Sequence, residues 1–242
     1  DNIDLELAKS KGVIVTNTPD VLTETTAELG FTLMLTAARR IVEAVEYVKD
    51  GKWQSWGPYL LAGQDIHGST VGVYGMGSIG EAFARRLKGF NCNVLYHNRS
   101  RKEKAEQELG VTYKSMDDLL TESDFVVCTA PLTEETKGKF NKETFSKMKS
   151  SAIFVNIGRG GHVIESDLIE AIKQNEIRGA ALDVVENEPI ANEHPFLNMD
   201  EIIVVPHIGS SSIETRNNMV QLCVDNAEKI INGDSPITPV NK

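Results

Sequence analysis

The stretch VGVYGMGSIG, residues 71–80, decides the fold. An apolar, β-branched run meets three glycines, Gly75, Gly77 and Gly80, spaced G-x-G-x-x-G, and a helical pattern over 79–90 follows. The first glycine permits a tight turn, the second lets backbone approach a diphosphate, and the third allows close helix–strand packing. A helix that starts there offers unpaired N–H groups and partial positive charge to phosphates. Gly75, Met76, Gly77, Ser78, Ile79 and Gly80 are therefore the candidate dinucleotide-binding turn. A glycine-rich turn without a ligand is the alternative. The strand before it, the helix after it and the further strands downstream weigh against that alternative.

Working outward, strand candidates fall at 70–74, 93–96, 125–129, 152–157, 180–184 and 202–205. Most are near-continuous apolar runs, the pattern of parallel strands covered on both faces. Helical candidates at 101–109, 142–148 and 166–174 alternate with them, which implies an α/β, doubly wound sheet. Upstream, Phe31, Met34, Leu35, Ala38, Ile41, Val42, Val45 and Val48 recur at three- and four-residue steps and predict one long helix over 23–49. Two indoles, Trp53 and Trp56, follow in a loop-like stretch. A last helix is expected over 213–231, before a tail containing Gly and Pro.

The 242 residues suffice for one large α/β domain or two smaller lobes. A formal charge of −10 argues against a nucleic-acid partner, which calls for a basic face. No apolar run approaches the roughly 20 residues that cross a bilayer, so no membrane partner is expected. The three cysteines lack CxxC spacing, and their odd number suits a reducing, cytoplasmic compartment. No metal-ligand spacing is present, and Ser151, Ser210 and Ser211 lack a GxSxG context. The chain opens on Asp1 and reads as the interior of a longer protein.

The second strand ends in His97, Asn98, Arg99, Ser100, Arg101 and Lys102, with no acid before Glu103. An acid there would bind a ribose 2′-hydroxyl and repel a 2′-phosphate. Arg99 and Ser100 can instead bind that phosphate by charge and hydrogen bond. The expected cofactor is NADP(H), with NAD(H) as the alternative. A solvated basic helix start is the bland reading of the same residues.

Three further residues follow apolar runs: Arg159 in NIGRG, Glu188 in NEP and His207 in VVPHIG. A cation, a carboxylate and an imidazole at the open end of a sheet, beside a nicotinamide, are what reduction of a 2-keto acid requires. His67, His97, His162 and His194 follow no comparable motif and are read as surface or loop residues.

These segments, with DNIDL, TAELGFTLMLTAARR, APLTEETKG, FVNIGRGG and ALDVVENEP, resemble the D-isomer-specific 2-hydroxy acid dehydrogenases over the whole chain. Within that family the chain is most similar to the glyoxylate/hydroxypyruvate reductases, toward which GKWQSWGP and HNRS both point. The resemblance implies a Rossmann sheet with remnants of a second, flavodoxin-like substrate lobe. Residues 1–18 would end that lobe, 19–208 would form the dinucleotide-binding domain, and 209–242 would return to the lobe. A helix and arm over 23–65 would make a homodimer, with Trp53 or Trp56 reaching the neighbour's site.

By the same resemblance, Arg159 pairs with the substrate carboxylate and polarises the keto oxygen. His207 is the general acid in reduction, and Glu188 fixes its tautomer and stabilises the imidazolium. Pro131 and Ile157 lie along the nicotinamide and its ribose. Asp183 hydrogen-bonds the carboxamide or holds Arg159 in place, and Gly209 brings backbone close to cofactor or substrate. His162 departs from the small or acidic residue expected after RGG and bears on substrate preference. The implied function is hydride transfer from NADPH to a small 2-keto acid. A corepressor-like NAD(P)-sensing module without turnover and a short phosphoglycerate dehydrogenase are the alternatives. The upstream part of the substrate lobe lies outside these residues, so cofactor binding with weak or no turnover is expected of them alone.

Overall fold

The computed structural model describes residues 3–241. Its strands are β1 (Thr70–Tyr74), β2 (Asn93–His97), β3 (Thr112–Tyr113), β4 (Phe125–Cys128), β5 (Ile153–Asn156), β6 (Gly179–Leu182) and β7 (Ile202–Val204). They form one 7-stranded sheet in the order β3-β2-β1-β4-β5-β6-β7, parallel throughout. The helices are α1 (Leu5–Ser10), α2 (Thr23–Ala38), α3 (Ile41–Lys49), α4 (Ser78–Leu87), α5 (Glu103–Leu109), α6 (Met116–Glu122), α7 (Lys142–Ser146), α8 (Glu165–Lys173) and α9 (Ile213–Ile231). The doubly wound α/β expectation holds.

Apolar runs become buried strands because side chains alternate across the sheet. Val71, Val73, Phe125, Val127, Ile153 and Val155 face α2 and α4, where Met34, Phe83 and Leu87 complete one core. Val126, Cys128, Phe154, Ala180 and Leu182 face the other way, against Leu119 of α6, Phe145 of α7 and Leu168 of α8. Each large buried side chain contributes roughly 1.5–3 kcal/mol. That drive explains why β1, β4, β5 and β6 carry almost no polar residue.

Register sets up the site. Tyr74 pairs with His97 on one side and Cys128 on the other; Cys128 pairs with Asn156, Asn156 with Leu182, and Leu182 with Val204. The turns that leave these strands therefore start at one level along one edge of the sheet.

The long helix expected over 23–49 is two helices. Arg40 adopts φ 53°, the left-handed region, between α2 and α3. The returning arm donates Gln64 N–H to the Ala38 carbonyl at 2.9 Å, which ends α2, and Arg40 forks onto Glu43 at 2.6 and 2.8 Å. Helix α2 is buried between the sheet and α4, whereas α3 has no buried residue. The apolar period runs on through the break because Ile41, Val42, Val45 and Val48 lie on an exposed stripe.

The short elements β3, α1 and α6 lie outside the strand and helix candidates of the sequence. At the two ends of the chain, Val15 and Asn17 exchange backbone hydrogen bonds with Val240 and Thr238, and the Asn241 side chain bonds Val13 and Val15. Among the described residues no helix is long and apolar enough to cross a membrane.

Candidate active site

Strand order reverses between β1 and β4, so the chain leaves their carboxyl ends in opposite directions and opens a crevice there. The three fingerprint glycines divide at this point. Gly75 has φ +104°, and a Cβ on it would lie 2.5 Å from the Ala130 nitrogen. A Cβ on Gly80 would lie 2.3 Å from the Gly75 carbonyl oxygen. Both are thus required by the chain's own packing. A Cβ on Gly77 would meet nothing within 4 Å. Gly77 is the N-cap of α4 and receives no side-chain cap, so Ser78 and Ile79 begin the helix beside open space. This cradle fits a diphosphate. The Asn98 Oδ1 accepts the Met76 N–H at 2.9 Å, and the Thr129 hydroxyl donates to the Gly75 carbonyl, which pins the turn to β2 and β4.

Beyond β2, Asn98 is half-buried while Arg99 and Ser100 are exposed. Arg101 instead forks onto Glu106 at 2.7 and 2.8 Å, and the Tyr96 hydroxyl donates to the same carboxylate at 2.7 Å. Arg101, with help from Tyr96, holds the Glu106 carboxyl down at about 2.

Pro131 is exposed just past β4. Ile157, expected along the nicotinamide, is only 5% exposed, and its side chain packs beneath Gly30 of α2. This contact seats α2 against the end of β5.

Arg159 follows β5 in a loop held from within. The buried Asn156 accepts the Gly158 N–H at 3.0 Å and donates to the Arg159 carbonyl at 2.9 Å. Arg159 Nη1 donates to the Gly158 carbonyl at 2.9 Å. A Cβ on Gly160 would lie 1.9 Å from the Val185 carbonyl oxygen, so this loop is pressed against the one that follows β6. That second loop carries Glu188, whose Oε1 accepts the Val185 N–H at 3.3 Å.

Glu188 Oε2 lies 2.7 Å from His207 Nδ1, and the two side chains are 38% and 48% exposed. With Nδ1 engaged, Nε2 is the ring nitrogen that can serve a substrate. His207 has φ 52°, a strained setting for a residue with a Cβ. Its N–H donates to the carbonyls of Asp183 and Val205 at 2.9 and 3.0 Å. The Asp183 carboxylate accepts the Ile208 N–H at 2.6 Å and the Gly209 N–H at 2.9 Å. Asp183 therefore holds the His207 turn. Burial raises the Asp183 carboxyl above the ordinary range, and those two amide bonds oppose the rise.

Three histidines read as surface or loop residues, His97 in β2 among them, are anchored. His162 is fully buried beside Arg159. His194 Nε2 lies 3.1 Å from Glu165 Oε2, while Oε1 of the same carboxylate accepts the Glu186 N–H at 2.8 Å, tying α8 to the Glu188 loop. His97 stacks between Tyr74 and Tyr113, and His67 is exposed. Sequence reasoning misses Asn156, Thr129 and Glu165, although all sit in or beside the motifs that carry the site. Among the described residues no group of three or more His, Cys, Asp or Glu could hold a metal ion.

Residues 31–209 match the model of the D-isomer specific 2-hydroxyacid dehydrogenase NAD binding domain. The chain belongs to this family. As a member it is an oxidoreductase that works with a nicotinamide cofactor. It is 46% identical to a glyoxylate reductase of Thermococcus kodakarensis over 246 aligned positions, which cover 100% of this chain and 74% of that protein. A crystal structure of a Thermus thermophilus protein superposes with TM-score 0.94 at 41% identity, covering 99% of this chain and 75% of that one. An NADPH-dependent glyoxylate/hydroxypyruvate reductase from Sinorhizobium meliloti, solved with NADP and malonate, superposes with TM-score 0.91 at 36% identity, over 99% of this chain and 74% of its own.

Proposed function

We propose that this family member reduces a small 2-keto acid of the glyoxylate/hydroxypyruvate type, with NADPH preferred over NADH. The observation that carries the reading is the 2.7 Å Glu188–His207 contact, at the same sheet edge as the open Gly77 turn. Gly75, Met76, Gly77, Ser78, Ile79 and Gly80 hold the diphosphate by backbone approach and helix N–H groups. The Pro131 turn would hold a dihydronicotinamide, which would supply the hydride. Arg159 receives the substrate carboxylate in a two-pronged contact and turns the carbonyl toward the ring. His207 Nε2 donates the proton that the nascent alkoxide takes up, and Glu188 stabilises the imidazolium beforehand. Asp183 and Gly209 keep the His207 turn in place.

NADPH preference rests on Arg99 and Ser100, which are exposed beyond β2 with no acid beside them. The named dependence of the Sinorhizobium meliloti reductase on NADPH supports the same choice. The exposed stripe of α3 continues into Trp53, Trp56 and Tyr59, at 64%, 82% and 86% exposure. That patch is our candidate homodimer surface, since isolated soluble chains seldom leave such an apolar area bare. The terminal pieces 1–18 and 209–242, of which 1, 2 and 242 lie outside the described residues, are assigned to the substrate lobe, and the three cysteines, all free, to a reducing cytoplasm. Steady-state reduction of glyoxylate and hydroxypyruvate with each nicotinamide tests the function. Absence of turnover with either keto acid by the full-length protein, substrate lobe included, would remove it, and sedimentation as a strict monomer would remove the dimer.

A further inference from the structure

We propose that His162 is a positioning residue for the substrate: its uncharged ring fixes the main chain of Arg159, and hence the aim of the guanidinium, against the Pro131 turn. This rests on the reading of Arg159 as the carboxylate-binding group.

His162 is 0% exposed. Its Nδ1 lies 3.1 Å from the Arg159 nitrogen and 2.8 Å from the Arg159 carbonyl oxygen. A single ring nitrogen serves one of these at a time, as acceptor to the first or donor to the second. The carbonyl already accepts from Asn156 Nδ2 at 2.9 Å and from the His162 N–H at 3.2 Å. Nδ1 is therefore assigned as acceptor from the Arg159 N–H, which places the proton on Nε2. That Nε2 is buried without an aligned hydrogen-bond partner, and the Pro131 carbonyl lies beside the ring. Burial disfavours an imidazolium here, and the nearby Arg159 charge adds to that. One neutral ring thus packs between the turn that carries Pro131 and the loop that carries Arg159, and bonds the second.

The ring adds to the hold that Asn156 already has on this loop. Gly158, Gly160 and Gly161 flank Arg159 and bring no side chains of their own to hold it. The His162 Cε1 lies 3.0 Å from where a Cβ on Gly158 would stand, so the ring occupies the space beside that glycine. A guanidinium far out from its Cα magnifies any rotation of the backbone that carries it.

The test uses the full-length protein, substrate lobe included, with His162→Leu, His162→Asn, His162→Gln and, as control, Arg159→Ala. Glyoxylate is the probe; kcat, KM, NADPH affinity by fluorescence and Tm are the readouts. His162→Leu is expected to raise KM for glyoxylate about 10-fold or more, since a misplacement of about 1 Å can cost ~100-fold. NADPH affinity should stay within about twofold. The Asn amide can stand where Nδ1 stands and should restore KM, whereas the Gln amide reaches the Nε2 position and should not. Equal behaviour of Asn and Gln, or a native KM in His162→Leu, overturns the inference. So does a parallel loss of kcat, keto-acid KM and NADPH affinity that tracks Tm. A native KM in Arg159→Ala would instead overturn the underlying reading of Arg159, and this inference with it.

Discussion

Glu188 and His207 are 19 positions apart in the chain, yet Oε2 of one stands 2.7 Å from Nδ1 of the other. The contact exists because β6 and β7 are adjacent parallel strands whose ends register, Leu182 beside Val204. Each partner is then trimmed by backbone: Val185 N–H holds the second Glu188 oxygen, and Asp183 holds the His207 turn. Replacing Glu188 with Gln keeps a polar contact but removes the negative charge. Replacing His207 with Gln removes the proton donor. Each variant should lower kcat by about 10²–10⁴, the usual range for general acid–base groups. NADPH titration by fluorescence should show unchanged affinity in both. A variant that loses cofactor binding together with kcat would mean the pair holds the fold rather than the proton.

The glycine turn separates stability from binding. Gly77→Ala adds a methyl to open space at ordinary φ, so unfolding free energy should change by less than about 0.5 kcal/mol. NADPH affinity should fall sharply, because the methyl stands where the diphosphate approaches. Gly75→Ala meets Ala130 at φ +104° and should destabilise by more than about 1 kcal/mol. Chemical denaturation alongside cofactor titration checks both. Tight NADPH binding by Gly77→Ala would show that the diphosphate lies elsewhere.

Cofactor choice should turn on Arg99 more than on Arg101. Arg99 is exposed beyond β2, whereas the Arg101 guanidinium is engaged by Glu106. Arg99→Glu should weaken NADPH about 10- to 100-fold, the worth of a charged hydrogen bond of about 1.5–3 kcal/mol, and should favour NADH. Arg101→Ala should change the NADPH/NADH ratio far less. Measured kcat/KM for both nicotinamides decides, and a larger shift from Arg101 would move the phosphate site.

Acid should loosen the Arg159 loop. Burial first, and then the Arg159 charge, hold the His162 ring below the ordinary imidazole value, opposed by backbone contacts. Above about 6.5, where a free imidazole titrates, the ring is neutral in the folded and unfolded chain alike and contributes no slope. As pH falls below that, the unfolded chain binds a proton that the folded chain resists, so stability is lost down to the depressed folded value. Unfolding free energy should therefore fall, as pH drops below about 6.5, more steeply in the native protein than in His162→Asn, by at most about 1.4 kcal/mol per pH unit. Parallel curves for the two proteins would count against a neutral buried ring.

Strand positions were legible in the sequence wherever a run is buried on both faces, as at Val126 to Cys128 or Phe154, because solvent exclusion leaves only apolar choices there. The two-residue edge strand β3 has no room for a pattern. Helix α6 did carry a signal, since Ser115 accepts the Asp118 N–H at its start, but the following apolar pair is too short to stand out. Periodicity also concealed the break at Arg40: an apolar stripe records which face avoids water, not whether the chain bends beneath it.

The residue types alone determined a doubly wound sheet, a glycine-rich strand-to-helix turn and a triad of charged candidates at strand ends, because these are written as local spacing and hydrophobic period. Which of those candidates touch was decided by tertiary structure. Parallel register brought Glu188 to His207, while local packing engaged Arg101 with a glutamate, sent Ile157 into the core and buried His162 beneath Arg159. Such contacts join side chains whose separation in space depends on strand order and loop packing, and no short stretch of sequence contains either.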